Sequence, residues 1–179
     1  MYDWSRFELR MPLAAALQTI YRSWATAAGL QTWLLREARF NSNEGKPRDP
    51  GEPVRPGDQF RWQWYGRAGE LKGTILSANH IDELSFSFGE AGNVSVQILP
   101  YNEIFVCQLV QSGIPTDEQS INSYHTGCMK AWLFHLANLK SIIEGGIDLR
   151  DHDAALNKDE NNPWADLSRF PAVPGNNGA

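Results

Sequence analysis

The chain has 179 residues, 42% hydrophobic and 21% charged, which fits one globular domain and excludes a wholly disordered or fibrous chain. Sixteen basic against 21 acidic residues leave a formal charge of -5, without the cationic stripe that a phosphate backbone requires, so nucleic acid is not expected as a partner. No stretch approaches the roughly 18 consecutive apolar residues of a membrane span, and Met1-Tyr2-Asp3-Trp4-Ser5 lacks the basic and apolar regions of a signal peptide. The expectation is a cytoplasmic protein with Cys107 and Cys128 reduced; their spacing matches neither a zinc site nor a redox motif.

In chain order, Ser5 to Arg10 alternates polar and apolar residues as a half-buried strand does. Pro12 opens a new element, and Leu13 to Ala28, rich in Ala, Leu and Ile with Gly29 behind it, reads as one or two short helices, with Ser23 placed to cap the second. Trp33 to Phe40 reads as a further strand. Asn41 to Asp58 gathers Asn, Gly and Pro densely enough to be loop, and loops of that length often carry function.

Gln59 to Tyr65 alternates cleanly, with Phe60, Trp62 and Trp64 on one face and Gln59, Arg61 and Gln63 on the other. After a turn at Gly66 to Gly69, Glu70 to Ser77 returns antiparallel, and Gly73 implies a gap or a bend. Leu84 to Phe88 and Val94 to Ile98 flank a Gly-Glu-Ala-Gly turn, each apolar on one face. After a turn at Pro100 to Asn102, Glu103 to Gln111 is apolar on both faces, as a well-covered strand is.

From Thr116 the period changes to 3.6. Thr116 with Gln119 reads as a capping box, and Asp117 and Glu118 suit the positive end of a helix dipole. Ile121, Tyr124, Cys128, Trp132, Leu136, Leu139 and Ile143 follow at steps of three or four, and Gly145-Gly146 supplies a stop. This predicts one helix of nearly thirty residues, roughly 40 Å long. From Asp151 the chain is polar and rich in Asn, Pro and Gly, with Trp164 and Phe170 isolated, as in a tail that is partly disordered or docked on the surface.

Strands not interleaved with crossover helices, followed by one long helix, make an α+β plan: a curved antiparallel sheet of about seven strands wrapped around the C-terminal helix, with two short helices after the first strand. The helix is the element long enough to cover the apolar sheet face, and a cavity remains wherever side chains do not fill the space beneath the curved sheet.

Trp132-Leu133-Phe134-His135-Leu136-Ala137-Asn138-Leu139-Lys140-Ser141-Ile142-Ile143-Glu144-Gly145-Gly146-Ile147-Asp148-Leu149-Arg150 resembles the C-terminal signature of the START-like (SRPBCC) superfamily. More narrowly, it is similar to the bacterial branch related to the C-terminal domain of the activator of the heat-shock protein 90 ATPase. Gly57-Asp58 before the Trp62 and Trp64 strand, Gly73, and the Phe86 and Phe88 strand support the resemblance, and Ala131-Trp132 stands where that family often has Gly-Trp. It spans roughly residues 4 to 150; the 41–56 loop matches poorly and the tail lies outside it. The resemblance implies a helix-grip (START or birch-pollen-allergen-like) fold over residues 1–150, with 151–179 as a tail. It also implies a cavity used across the superfamily for lipids, polyketides, hormones or partner contacts.

The candidate lining is Trp62, Trp64, Phe86 and Phe88 from the strands, facing Tyr124, Cys128 and Trp132 on the helix, with Trp33 and Phe105 in neighbouring elements. Plain core packing explains the same pattern about as well. Tyr124 is the favoured ligand contact, because a buried hydroxyl needs a partner. The four histidines, at 80, 125, 135 and 152, show no catalytic pairing or metal spacing; His125 and His135 read as surface or rim residues, and Asp151-His152-Asp153 as solvated tail. Cys107 and Cys128 read as small buried thiols rather than a redox pair, and the Glu144 and Asp148 to Arg150 cluster as ion pairing that fixes the chain's turn. No catalytic residue, metal or cofactor is expected. The leading function is therefore non-catalytic binding of a hydrophobic small molecule, lipid-like or polycyclic. A co-chaperone-like module with a protein partner is the second reading, and a cyclase or hydratase using Tyr124 or His125 the third. A homodimer through a sheet edge or the aromatic tail is compatible with all three.

Overall fold

A computed structural model describes residues 2–65, 69–152 and 170–171. Among these residues seven strands form one antiparallel sheet: β1 (Arg6–Leu13), β2 (Glu37–Asn41), β3 (Gln59–Gln63), β4 (Leu71–Ala78), β5 (Glu83–Ser87), β6 (Asn93–Tyr101) and β7 (Ile104–Ser112). Their spatial order is β1-β7-β6-β5-β4-β3-β2, so the sheet is open and β1 and β2 are its edges. Two short helices, α1 (Leu17–Ala25) and α2 (Ala27–Trp33), carry the chain from one edge to the other. The C-terminal helical run is continuous from residue 118 to 143: α3 (Glu118–Ser120), a π-helical segment (Ile121–Gly127) and α4 (Cys128–Ile143).

The period-two pattern sorts the sheet faces as expected. Phe60, Trp62, Leu84, Phe86, Val94, Val96 and Ile98 are buried beneath the helix, and Gln59, Arg61, Glu83 and Gln97 face outward. On α4 the buried residues Cys128, Ala131, Trp132, His135, Leu136 and Leu139 recur at helical spacing. The helix thus lies across the apolar side of the sheet.

Several local expectations are corrected. The helix cap is Asp117, whose carboxylate accepts from Ser120 N at 3.0 Å, rather than Thr116. Thr26, not Ser23, caps α2 by accepting from Gly29 N at 2.9 Å; the buried Ser23 hydroxyl instead donates to Ile20 O. Trp33 ends α2, and the following strand begins only at Glu37. Gly73 leaves no gap: a Cβ there would sit 2.3 Å from Phe60 Cζ, so the Phe60 ring occupies the space the missing side chain vacates. At Gly92 φ is 87° and a Cβ would meet Ser112 O at 2.1 Å, so the β5–β6 turn requires glycine. The turn at 66–68 lies outside the described residues.

The 42–58 loop is pinned to the fold. Ala28 N donates to Pro50 O, Val54 N to Ala25 O and Gly57 N to Ile75 O. Arg48 forks onto the buried Asp58, with Nη2 to Oδ1 at 2.8 Å, and reaches Glu52 at 2.7 Å.

Candidate functional site

The inward positions of β3 and β5 and one turn of α4 meet in a continuous set of rings. Trp62 lies 5.0 Å from Phe86 between centroids, Trp64 6.4 Å from Phe88, and Trp132 5.6 Å from Phe88 and 6.5 Å from Phe86. Trp24 joins Trp33 to Trp132, at 4.6 and 5.9 Å. Six of the nine candidate residues therefore share this network. Cys128 is fully buried at the start of α4. Phe105 stands apart at the beginning of β7, opposite Leu13 and Pro100 and half-buried against the core. Tyr124 is half-buried in the π-helical segment and donates from its hydroxyl to Glu90 Oε2 at 3.0 Å, which raises its pKa together with burial, the larger effect.

The indoles differ in how their N–H groups are met. Trp33 Nε1 donates to Ser23 O and Trp132 Nε1 to Gln111 Oε1, both at 2.9 Å, and the buried Gln111 amide passes on to Ala91 O. Trp62 Nε1, also buried, has no hydrogen-bond partner among the described residues. A buried donor left unmet costs about 1–3 kcal/mol.

Phe170 is the residue that sequence reasoning missed. Its ring is 4% exposed and sits 4.7 Å from Trp132, 5.3 Å from Phe88, 5.4 Å from Trp64 and, stacked at an interplanar angle of 8°, 5.3 Å from His135. Pro171 follows beside Gly127 of the π-helical segment. The available signal was an isolated aromatic in a polar stretch, where an apolar ring gains most from finding a hydrophobic seat. Trp164 and the rest of the tail lie outside the described residues.

His125 and His135 are both buried, contrary to the rim placement expected. Tyr2, Trp4 and Phe7 enclose the His125 imidazole edge-on at 5.1–5.6 Å, and its Nε2 donates to Arg6 O at 3.2 Å and lies 3.3 Å from the Tyr2 hydroxyl. His135 faces Phe170 from α4. Burial pushes the Cys107 thiol up to about 12, with the Trp24 indole opposing the shift, which leaves it inert as a nucleophile. His152 stacks on Tyr65 at 4.2 Å and meets Asp148 at 3.1 Å; Asp153 lies outside the described residues. No three His, Cys, Asp or Glu side chains gather as metal ligands among the described residues.

Behind the helix, the chain turns back through an ion-paired knot. Asp148 accepts from Arg150, whose guanidinium also donates to the Gln31, Thr32 and Leu35 carbonyls at the end of α2 and lies over the Tyr65 ring. Burial alone would raise the Asp148 carboxyl. The Arg150 hydrogen bonds and charge, with Asn138, hold it well below the usual carboxylate range. On the outer face of the sheet, Gln59, Lys72, Thr74, Ser87 and Glu90 line an open polar hollow of about 380 Å³.

No protein-family model matches the sequence, and no curated protein does. Solved structures do. The protein SSP2350 from Staphylococcus saprophyticus superposes with a TM-score of 0.65 at 15% identity, covering 81% of this chain and 96% of its own. The Aha1 dimer from Colwellia psychrerythraea gives 0.60 at 15% identity, covering 79% and 97%. DynU16, from the dynemicin biosynthetic locus, gives 0.62 at 13% identity, covering 83% of this chain and 50% of its own. The chain shares the helix-grip fold of these structures, with Aha1 among its structural neighbours. Among the described residues, no helix is long and apolar enough to cross a membrane.

Proposed function

We infer that the protein binds a hydrophobic small molecule between the sheet and the C-terminal helix and catalyses no reaction on it. One observation carries this reading: Trp64, Phe88, Trp132 and His135, from three parts of the scaffold, form a seat whose occupant, the Phe170 ring, is supplied by a distant segment of chain. A site that buries one borrowed aromatic ring is chemically suited to bury a free one. The enclosed Trp62 N–H favours a guest that carries an acceptor.

In this reading residues 1–150 are the binding module of a cytoplasmic protein, 151–179 are its appended tail, and Trp62 and Phe86 form the floor of the seat beneath Trp64 and Phe88. Fluorescence titration of the whole chain with the neutral naphthalene dye 6-propionyl-2-dimethylaminonaphthalene tests it. A blue-shifted emission that saturates at one dye per chain is expected; emission unchanged at high micromolar protein, in the whole chain and in its Phe170→Ala variant alike, overturns the reading. The neighbour from Colwellia is a dimer, and the reading includes pairing of two copies of this chain through the edge strand β1 or β2, which light scattering coupled to size exclusion tests.

A further inference from the structure

Phe170 is separated from the scaffold by the segment after His152, yet its ring is as buried as the sheet's own core residues. It makes ring contacts with the chain just past β5 through Phe88, just past β3 through Trp64, and with α4 through Trp132 and His135. Its four ring partners are themselves held independently of it. Trp132 is anchored by Gln111, Trp64 packs on Trp62, Phe88 packs on Phe86, and His135 is fixed on a buried helix face. The seat therefore keeps its walls when the ring leaves. What the ring contributes is cover for flat apolar surfaces, and any planar apolar molecule supplies that equally well.

Resting on the binding function above, we propose that Phe170 is a tethered competitor for that site: it fills the seat in the unliganded protein, and a free aromatic ligand binds by displacing it. Tail docking and ligand binding exclude one another. The apparent affinity of the whole chain is reduced by the fraction of time the seat is filled. Ligand binding is reported to the outside as a released tail end, which gives the module an output without any change in the sheet.

The test uses the full chain and the same naphthalene dye. Replacing Phe170 by Ala should tighten dye binding by about 10- to 100-fold, the equivalent of freeing one buried phenyl seat. In a second protein, 4-fluorophenylalanine is placed at 170 and nowhere else, which keeps the seat intact should Phe170→Ala fail to fold. Its fluorine resonance should sit at a buried position in the free protein and move to that of solvent-exposed fluorophenylalanine as dye saturates. A dye that binds wild type and Phe170→Ala equally, or that saturates the fluorinated protein without moving its resonance, overturns the displacement while leaving the binding function standing. A dye that binds none of the three proteins overturns both.

Discussion

The side-chain amide of Asn138, in the middle of α4, donates to the backbone carbonyl of Trp33 at 2.7 Å across 105 positions of sequence, and its oxygen accepts from Leu149 N at the same distance. One fully buried amide thus joins the end of α2, the covering helix and the returning chain.

Asn138→Leu keeps the volume but strands the Trp33 carbonyl and the Leu149 N–H. A loss of about 2–4 kcal/mol in urea unfolding is expected, at one to two unmet buried groups. A loss below about 0.5 kcal/mol would show that the knot contributes nothing to stability.

The Asp148 carboxyl links this knot to pH. Its folded pKa lies below its unfolded value near 3.8, so its contribution is fully present above that value and disappears as pH falls toward the folded one. The stability gap between wild type and Asp148→Asn should be constant from about pH 7 to about pH 5 and shrink by about pH 3. Thermal melts of both proteins across that range read it; a gap that widens on acidification contradicts the assignment.

Gln111→Leu removes the acceptor for Trp132 Nε1 and the donor to Ala91 O, both buried. The expected cost is about 2–4 kcal/mol, with a shift in the near-ultraviolet tryptophan circular dichroism that Asn138→Leu does not share.

Gly73→Ala drives a methyl into the Phe60 ring and toward Ser87 Oγ, at 2.3 and 2.8 Å. Overpacking of this kind costs about 1–3 kcal/mol, and Phe60→Leu in the same chain should recover part of it because the two sites are in contact.

Within the proposed binding function, the Trp62 N–H, unmet among the described residues, predicts a ligand preference. Of two molecules of similar shape, 1-acetonaphthalene should bind about 5- to 10-fold more tightly than 1-ethylnaphthalene, for about 1 kcal/mol of hydrogen bond. Trp62→Phe should erase the difference. Equal affinities in wild type would remove Trp62 from the site.

Sheet and helix were legible in the sequence because their signals are local: alternation at Phe60 and Trp62, and the 3.6 period from Cys128 to Leu139, follow from backbone geometry alone. The cap moved by one residue because Thr116 and Asp117 both have side chains able to accept from a first-turn N–H, and backbone dihedrals choose between them. His125 and His135 were misplaced because their burial is set by rings far away in sequence, Tyr2 and Trp4 for one and Phe170 for the other. The same reason hid the occupant of the candidate site. Its walls obey periodicity, while Phe170 belongs to no periodic element.

The register of β1 against β7, Arg6 opposite Ser112 and Leu13 opposite Phe105, sets a timetable for a nascent polypeptide. At roughly 5–20 residues per second on the ribosome, the first strand waits on the order of 5–20 seconds for its partner to be made. Meanwhile β2 to β6 can zip hairpin by hairpin as they emerge, since each adjoins its predecessor in the sheet. The sheet's first-made strand is the last to find its ladder, and Phe7 and Leu13 stay exposed to chaperones or to aggregation until then.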